Sequence, residues 1–235
     1  MSEKPIKLFG GRADRYPEAD DAEFAEGIAR AAIKLIPFVG GATNDVLNLV
    51  LAPAIVRRRD EWFKELAEDL DKLDKEVKGL KERLSQNEPF VSAVIQATRI
   101  ALSTHQQEKR QMLRYALLKI ATGKGPDEEL QQVFLNAIEE FSVSHVKVLN
   151  VLANCTQELI QRGLWNSGHP NSIPAYRNVI ALLLPELRTH ESLVVSILID
   201  LRNRGFSKLA DLDVPFPNQG MVTNLGAEFL RFVSS

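Results

Sequence analysis

Four histidines (His105, His145, His169 and His190) and one cysteine, Cys155, are the residues of this 235-residue chain best suited to acid–base, nucleophilic or metal chemistry. A serine hydrolase of the elbow type needs G-x-S-x-G, and the chain has no such string. Cys155 sits in VLANCTQEL, a helical stretch with no histidine near it in sequence, where a thiol behaves as a small hydrophobe. His105 has Glu108 three residues on, but a bundle metal site needs E-x-x-H on two helices plus further carboxylates. The order here is reversed and occurs once, so His105 is expected to be a buried or half-buried, hydrogen-bonded side chain. The other histidines are too widely spaced to suggest ligands. Ala121-Thr122-Gly123-Lys124-Gly125 lacks the G-x-x-x-x-G-K-[ST] frame and follows a helical pattern, which makes it a helix stop. Gly40-Gly41 is too short for a nucleotide loop and reads as a turn. These residues predict no enzyme, no cofactor and no metal.

Charge narrows the partners. The chain carries 29 Lys+Arg against 31 Asp+Glu, a formal net charge of −2, so the cationic face a dedicated nucleic-acid binder needs is not predicted. A single cysteine allows no intrachain disulfide and suits a reducing compartment. The first residues, MSEKPIKLFGGRADRYPEADDAE, hold no apolar h-region, which argues against export. The expected location is cytoplasmic, extending to the periphery of the inner membrane for the reason that follows.

Residues 1–22 mix glycine, proline and charge without apolar period and read as a flexible N-terminal tail. Residues 28–56 are the least polar stretch, with only Arg30, Lys34 and Asp45 charged. Pro37, Gly40-Gly41 and Pro53 interrupt it, so the prediction is a helical hairpin: one arm to about Leu35, a turn, and a second helix capped near Thr43 or Asn44 and kinked at Pro53. Neither arm has the ~20 uninterrupted apolar residues of a spanning helix. Arg57, Arg58 and Arg59 follow directly, and arginines beside apolar surface suit an anionic membrane interface. The membrane-contact candidates are Ile33, Leu35, Ile36, Phe38 and Val39 on the first arm and turn, Val46, Leu47, Leu49, Val50 and Leu51 on the second, and the three arginines. The same residues fit a central buried hairpin with a solvated helix after it. Both hold if the hairpin is buried at rest and released by a trigger.

Phe63, Leu66, Leu70, Leu73, Val77, Leu80 and Leu84 recur at spacings of three and four, an a/d seam that Gly79 weakens without breaking. The seam suits an intrachain helix pair or a homo-oligomeric coiled coil. Its intrachain partner is residues 88–122, a helix with Pro89 in its first turn, a stripe from Val91 through Ile95 to Ile120, and a polar interval at Thr104–Arg110. Gly123–Pro126 ends this helix and is the predicted domain boundary, giving a helical bundle with the apolar hairpin over 23–124 and a second domain over 125–235.

In that second domain helices are predicted over Asp127–Phe141, Ser144–Arg162, Ile173–Leu184 and His190–Arg204, with a loop at Trp165–Ser172. Residues 206–222 read as a small β-hairpin, and Thr223 caps a last helix. That order predicts a winged-helix-like domain. With eight Lys+Arg against twelve Asp+Glu over 125–235, its expected use is protein contact or packing rather than DNA binding. The fold class is mainly α: a helical hairpin and antiparallel helix bundle followed by the winged-helix-like part.

Pro37-Phe38-Val39-Gly40-Gly41, followed by Arg58-Arg59-Asp60-Glu61-Trp62 and the charged seam, resembles the N-terminal helical segments of bacterial abortive-infection-alpha-type proteins. It also resembles the bell domains, bacterial analogues of fungal HeLo domains. The chain end, Thr223-Asn224-Leu225-Gly226-Ala227-Glu228-Phe229-Leu230, is similar to the T-x-L-G-x-x-F-L close of winged-helix modules in that family. The likeness covers residues 24–235. It implies a non-enzymatic defence or stress protein whose hairpin engages or perturbs the inner membrane once exposed, held or triggered by a protein partner. It carries over no catalytic residue, and the amyloid-like signalling motif that often accompanies bell domains is not evident.

Overall fold

A computed structural model of the chain describes residues 45–164, 175–216 and 220–235, with side chains of the first segment from Pro53 onward. The described part is mainly helical: α1 (Asp45–Glu76), α2 (Leu80–Ser85), α3 (Glu88–Ser103), α4 (Gln107–Ala121), α5 (Glu128–Glu140), α6 (Val143–Gln161), α7 (Tyr176–Leu183), α8 (Glu191–Asn203) and α9 (Asn224–Val233), with a 3₁₀ turn at Pro185–Leu187. The described residues belong to one compact unit, and α3 and α4 pack on α5 while α4 packs on α9. The Gly123–Pro126 turn therefore joins helices of one body.

The second arm of the expected hairpin and the charged segment after it are a single 32-residue helix that passes through Pro53. A proline removes one helical hydrogen bond and costs roughly 3 kcal/mol, which the later turns offset by burying Trp62, Leu66 and Leu70. The first arm and the turn, residues 28–44, lie outside the described residues, as do the predicted tail and the cap near Thr43 or Asn44.

The face α1 buries runs through Trp62, Leu66 and Leu70, each four residues apart, while Phe63, Leu73 and Val77 are only half-buried. A helix lying on two neighbours at once buries a stripe between them, and α1 packs on both α3 and α4. The expected seam also stops early. The helix ends at Glu76, and Gly79 takes φ 72°, a left-handed conformation open to glycine at little cost. Leu80 and Leu84 are buried from the separate helix α2.

Residues 88–122 are two helices rather than one. Pro89 occupies the first turn of α3 as expected, and the Asn87 side chain accepts from Phe90 N at 3.1 Å. The polar interval is the reversal: Thr104 is extended and its Oγ1 accepts from Gln106 N at 3.1 Å. A side-chain hydroxyl that satisfies the backbone locally favours a turn over helix continuation. Ile95 of the predicted stripe is on the surface.

Beyond Pro126 the predicted helices are present within a few residues of their expected ends. Asp127 caps α5 by accepting from Leu130 N at 2.9 Å, and Thr223 caps α9 by accepting from Gly226 N at 3.0 Å. Gly205 stops α8 with φ 79°. The predicted loop at Trp165–Ser172 lies outside the described residues. The core here is aromatic: Phe134, Phe141, Phe206 and Phe229 meet mostly edge to face, with Phe206 and Phe229 centroids 5.1 Å apart. Cys155 is buried in α6, and burial pushes its thiol pKa up, as suits a packing residue.

The small β-hairpin expected over 206–222 is not present, and without it the winged-helix-like domain expected over 125–235 is not supported: the described residues hold no strand, only isolated antiparallel bridges at Ser207–Val222 and Ala175–Pro215. Lys208 N donates to Met221 O and Thr223 N to Phe206 O, but Pro215 has no N–H to extend a ladder.

Candidate functional site

The N-terminal part of α1 is defined by what stops beside it. Trp62 Nε1 donates to Thr98 Oγ1 at 3.0 Å, and Arg58 Nη1 donates to Leu102 O at 3.2 Å. Four residues down α1 thus match four residues up α3, so the two run antiparallel and the end of α3 lies opposite the level of Arg58. On the other flank Arg110 pairs with Glu61 and Arg114 with Glu65. Four residues up α4 match four up α1, so the two run parallel and the start of α4 at Gln107 also faces Arg58. Helix α1 continues back from there to Asp45, about 20 Å at 1.5 Å per residue, opposite neither α3 nor α4.

The three arginines at the base of this arm do not act alike. Arg58 reaches into the bundle and closes the end of α3. Arg59 donates from Nε and Nη2 to Asp60 Oδ1 at 2.9 and 2.8 Å. Arg57, 74% exposed at its side chain, keeps only a 3.9 Å approach to Glu61. Among the apolar candidates, Val46, Leu47, Leu49, Val50 and Leu51 belong to α1. Ile33, Leu35, Ile36, Phe38 and Val39 lie outside the described residues.

A charged ladder fastens α1 to α4. Arg114 donates to Asp69 Oδ2 at 2.7 Å and to Glu65 Oε2 at 2.8 Å, and Arg110 Nη2 reaches Glu61 Oε2 at 3.4 Å. Arg110 Nε is buried without a partner. The ladder was open to sequence reasoning, because Glu61, Glu65 and Asp69 recur every four residues and so do Arg110 and Arg114.

One cluster has the connectivity of a nucleophile, a base and an acid. Ser142 Oγ lies 2.8 Å from His145 Nδ1, and His145 Nε2 lies 3.2 Å from Asp200 Oδ2. The Ser142 backbone N–H also donates to Nδ1 at 3.2 Å, so Nδ1 carries the lone pair and Nε2 the proton. Burial, helped by Arg204 and Lys109 against the pull of Asp200, holds the imidazole pKa below its usual value. The ring stacks on Phe141 with centroids 5.1 Å apart, and Arg204 Nε binds the far oxygen of Asp200 at 3.1 Å. These contacts make His145 the third-residue partner of Ser142 in the capping box that starts α6, tied to α8 through Asp200. Sequence reasoning passed over it, since S-x-x-H differs from the S-x-x-E/Q signature.

His105 is exposed in the turn between α3 and α4, not buried or half-buried as expected. Among the described residues no three His, Cys, Asp or Glu side chains are grouped to hold a metal, and no helix is long and apolar enough to cross a membrane. No family model, curated protein or solved structure matches the chain.

Proposed function

We propose that this is a non-enzymatic, membrane-engaging protein of abortive-infection type, and that the arm of α1 before Arg58 meets an anionic bilayer surface. The carrying observation is the arm itself, about 20 Å of helix opposite neither α3 nor α4, with the sequence DVLNLVLAPAIV and an exposed Arg57 at its base. An apolar helix of that length lies in an interface rather than spanning the bilayer. Arg57 then sits at headgroup level, where each cation near an anionic surface is worth about 1 kcal/mol. The defence role rests on the family resemblance, with a protein partner or trigger acting through the second half of the chain.

The test is co-flotation and dye release with phosphatidylglycerol vesicles, comparing wild type with folded Val46→Lys and Leu49→Lys variants. Loss of binding or leakage in the variants supports the arm as the contact. Equal behaviour of wild type and variants, including after mild destabilisation, removes this reading.

A second reading has its own observation. Helices α7 and α8 follow one another beside the two bridges and expose Leu182, Leu193 and Ile199. These exposed side chains favour a soluble adaptor that binds protein through the helices of the second half. It predicts loss of a partner, rather than of lipid, on Leu193→Lys.

A further inference from the structure

Three cations border one cleft at the end of the bundle away from the arm. Lys119 is in the last turn of α4, Lys124 in the turn that follows, and Arg231 in the last turn of α9. With Pro126, Glu228 and Phe232 they line a cleft of about 270 Å³. Lys119 Nζ donates to the carbonyl oxygens of Arg231 and Ser234, the latter at 2.6 Å. An ammonium has three N–H donors, so one is left for another acceptor. Burial and the nearby Arg231 guanidinium lower the Lys119 pKa, so an anion placed between the two cations would relieve their repulsion. Glu228 is the one carboxylate lining the cleft, against three cations.

We propose that this cleft binds a phosphate-bearing anion. A net lining charge of three cations less one carboxylate matches a dianion. Two point-like ammoniums and one guanidinium fork can donate to a tetrahedral group from separate directions. The cleft exceeds a bare phosphate in size, and Pro126 and Phe232 supply an apolar wall for the organic part of a phosphate monoester. Lys119 lies twelve residues beyond Gln107, about 18 Å along α4 from the level where the arm departs. A ligand here is therefore separate from lipid held by the arm, and the proposal stands independently of the membrane reading.

The experiment titrates the full chain with inorganic phosphate and with phenyl phosphate at constant ionic strength, reading heat and the Lys119 Nζ resonance. The comparison variant is Lys124→Gln/Arg231→Gln, which changes two exposed side chains and keeps the Lys119 cap. Saturable binding, with a raised Lys119 pKa and about tenfold or greater weakening in the variant, is expected. A parallel arm uses phosphatidylglycerol against phosphatidylcholine vesicles. Flotation that depends on Lys124 and Arg231 identifies the phosphate as a lipid headgroup, whereas phosphate binding without it identifies a soluble ligand. Binding unchanged in the variant, or no saturable binding in either arm, overturns the site.

Discussion

Arg58 and Leu102 meet where two helices part: the Arg58 guanidinium donates to the Leu102 carbonyl at 3.2 Å, and past that point α1 continues while α3 ends. One side chain thereby satisfies an orphan carbonyl of the last turn of α3 and fixes where the α1 arm begins. Because it is a single part-buried bond at a helix end, it is worth little to global stability but much to local order.

Replacing Arg58 by Met keeps the aliphatic stem and removes the donors, and should cost about 1 kcal/mol. Amide exchange should quicken selectively at the end of α3 and around Arg58. Arg57→Met, at an exposed side chain with a 3.9 Å ion pair, should stay within about 0.5 kcal/mol of wild type. Equal effects of the two substitutions would contradict this division of labour.

Trp62 and Thr98 form a buried pair with Nε1 to Oγ1 at 3.0 Å, and both side chains are at most 1% exposed. Thr98→Val leaves a buried indole N–H unmade and should destabilise by about 1–3 kcal/mol. With Trp62→Phe already present the same change should be close to neutral. A double-mutant cycle by urea denaturation should give a coupling of about 1–3 kcal/mol; a coupling near zero would mean that the indole is satisfied some other way.

What the sequence made legible follows from how local each signal is. Signals such as Pro89 in a first turn, the stop after Ala121 and the Thr223 cap act within one turn, and each stands where the sequence predicts it. The break at Thr104 shows in the sequence only as a polar interval of one helix, because it is the packing of α3 back on α4 that turns a tolerable polar run into a reversal. A heptad template selects Phe63 over Trp62 because it presumes one partner, whereas α1 lies on two and buries Trp62 between them. The second half looked richer in strand than it is, since the turn chemistry at Pro215 is visible in sequence and the missing ladder is not. For the candidate site, residue identities were open to reading. The arm was not, because its existence depends on where two other helices end.

Gly226 has a reason that is spatial rather than conformational. A Cβ there would fall far inside contact distance of the Phe206 carbonyl oxygen and 2.9 Å from Val222 Cγ1. The oxygen belongs to backbone held by bonds from Thr223 N and Thr223 Oγ1, so it cannot yield cheaply. Gly226→Ala should therefore destabilise by about 3 kcal/mol or more, although alanine is the better helix former by nearly 1 kcal/mol. A urea midpoint unchanged or raised would show that α9 can shift away from Phe206.

The pH dependence of stability turns on His145. Its folded-state pKa lies below the ordinary 6.5, with burial the largest cause, Asp200 opposing, and Arg204 and Lys109 adding to the depression. The unfolded chain therefore takes up a proton near 6.5 that the folded chain resists, so the unfolded state binds more protons as pH falls. The contribution is fully present above pH 6.5 and is lost as pH drops through the interval down to the folded value. Protonation would also remove the lone pair that accepts from Ser142 N. Glutamine at this third helical position can still accept from the cap backbone, so His145→Gln should fold, keep the corner between α5 and α6, and lose less stability than wild type between pH 7 and 5. Asp200→Asn removes the group that favours the charged ring and should move its titration still lower. Urea denaturation at three pH values, beside an imidazole NMR titration, checks both. A His145 that titrates at or above 6.5, or a glutamine variant as acid-sensitive as wild type, would place the acid response elsewhere.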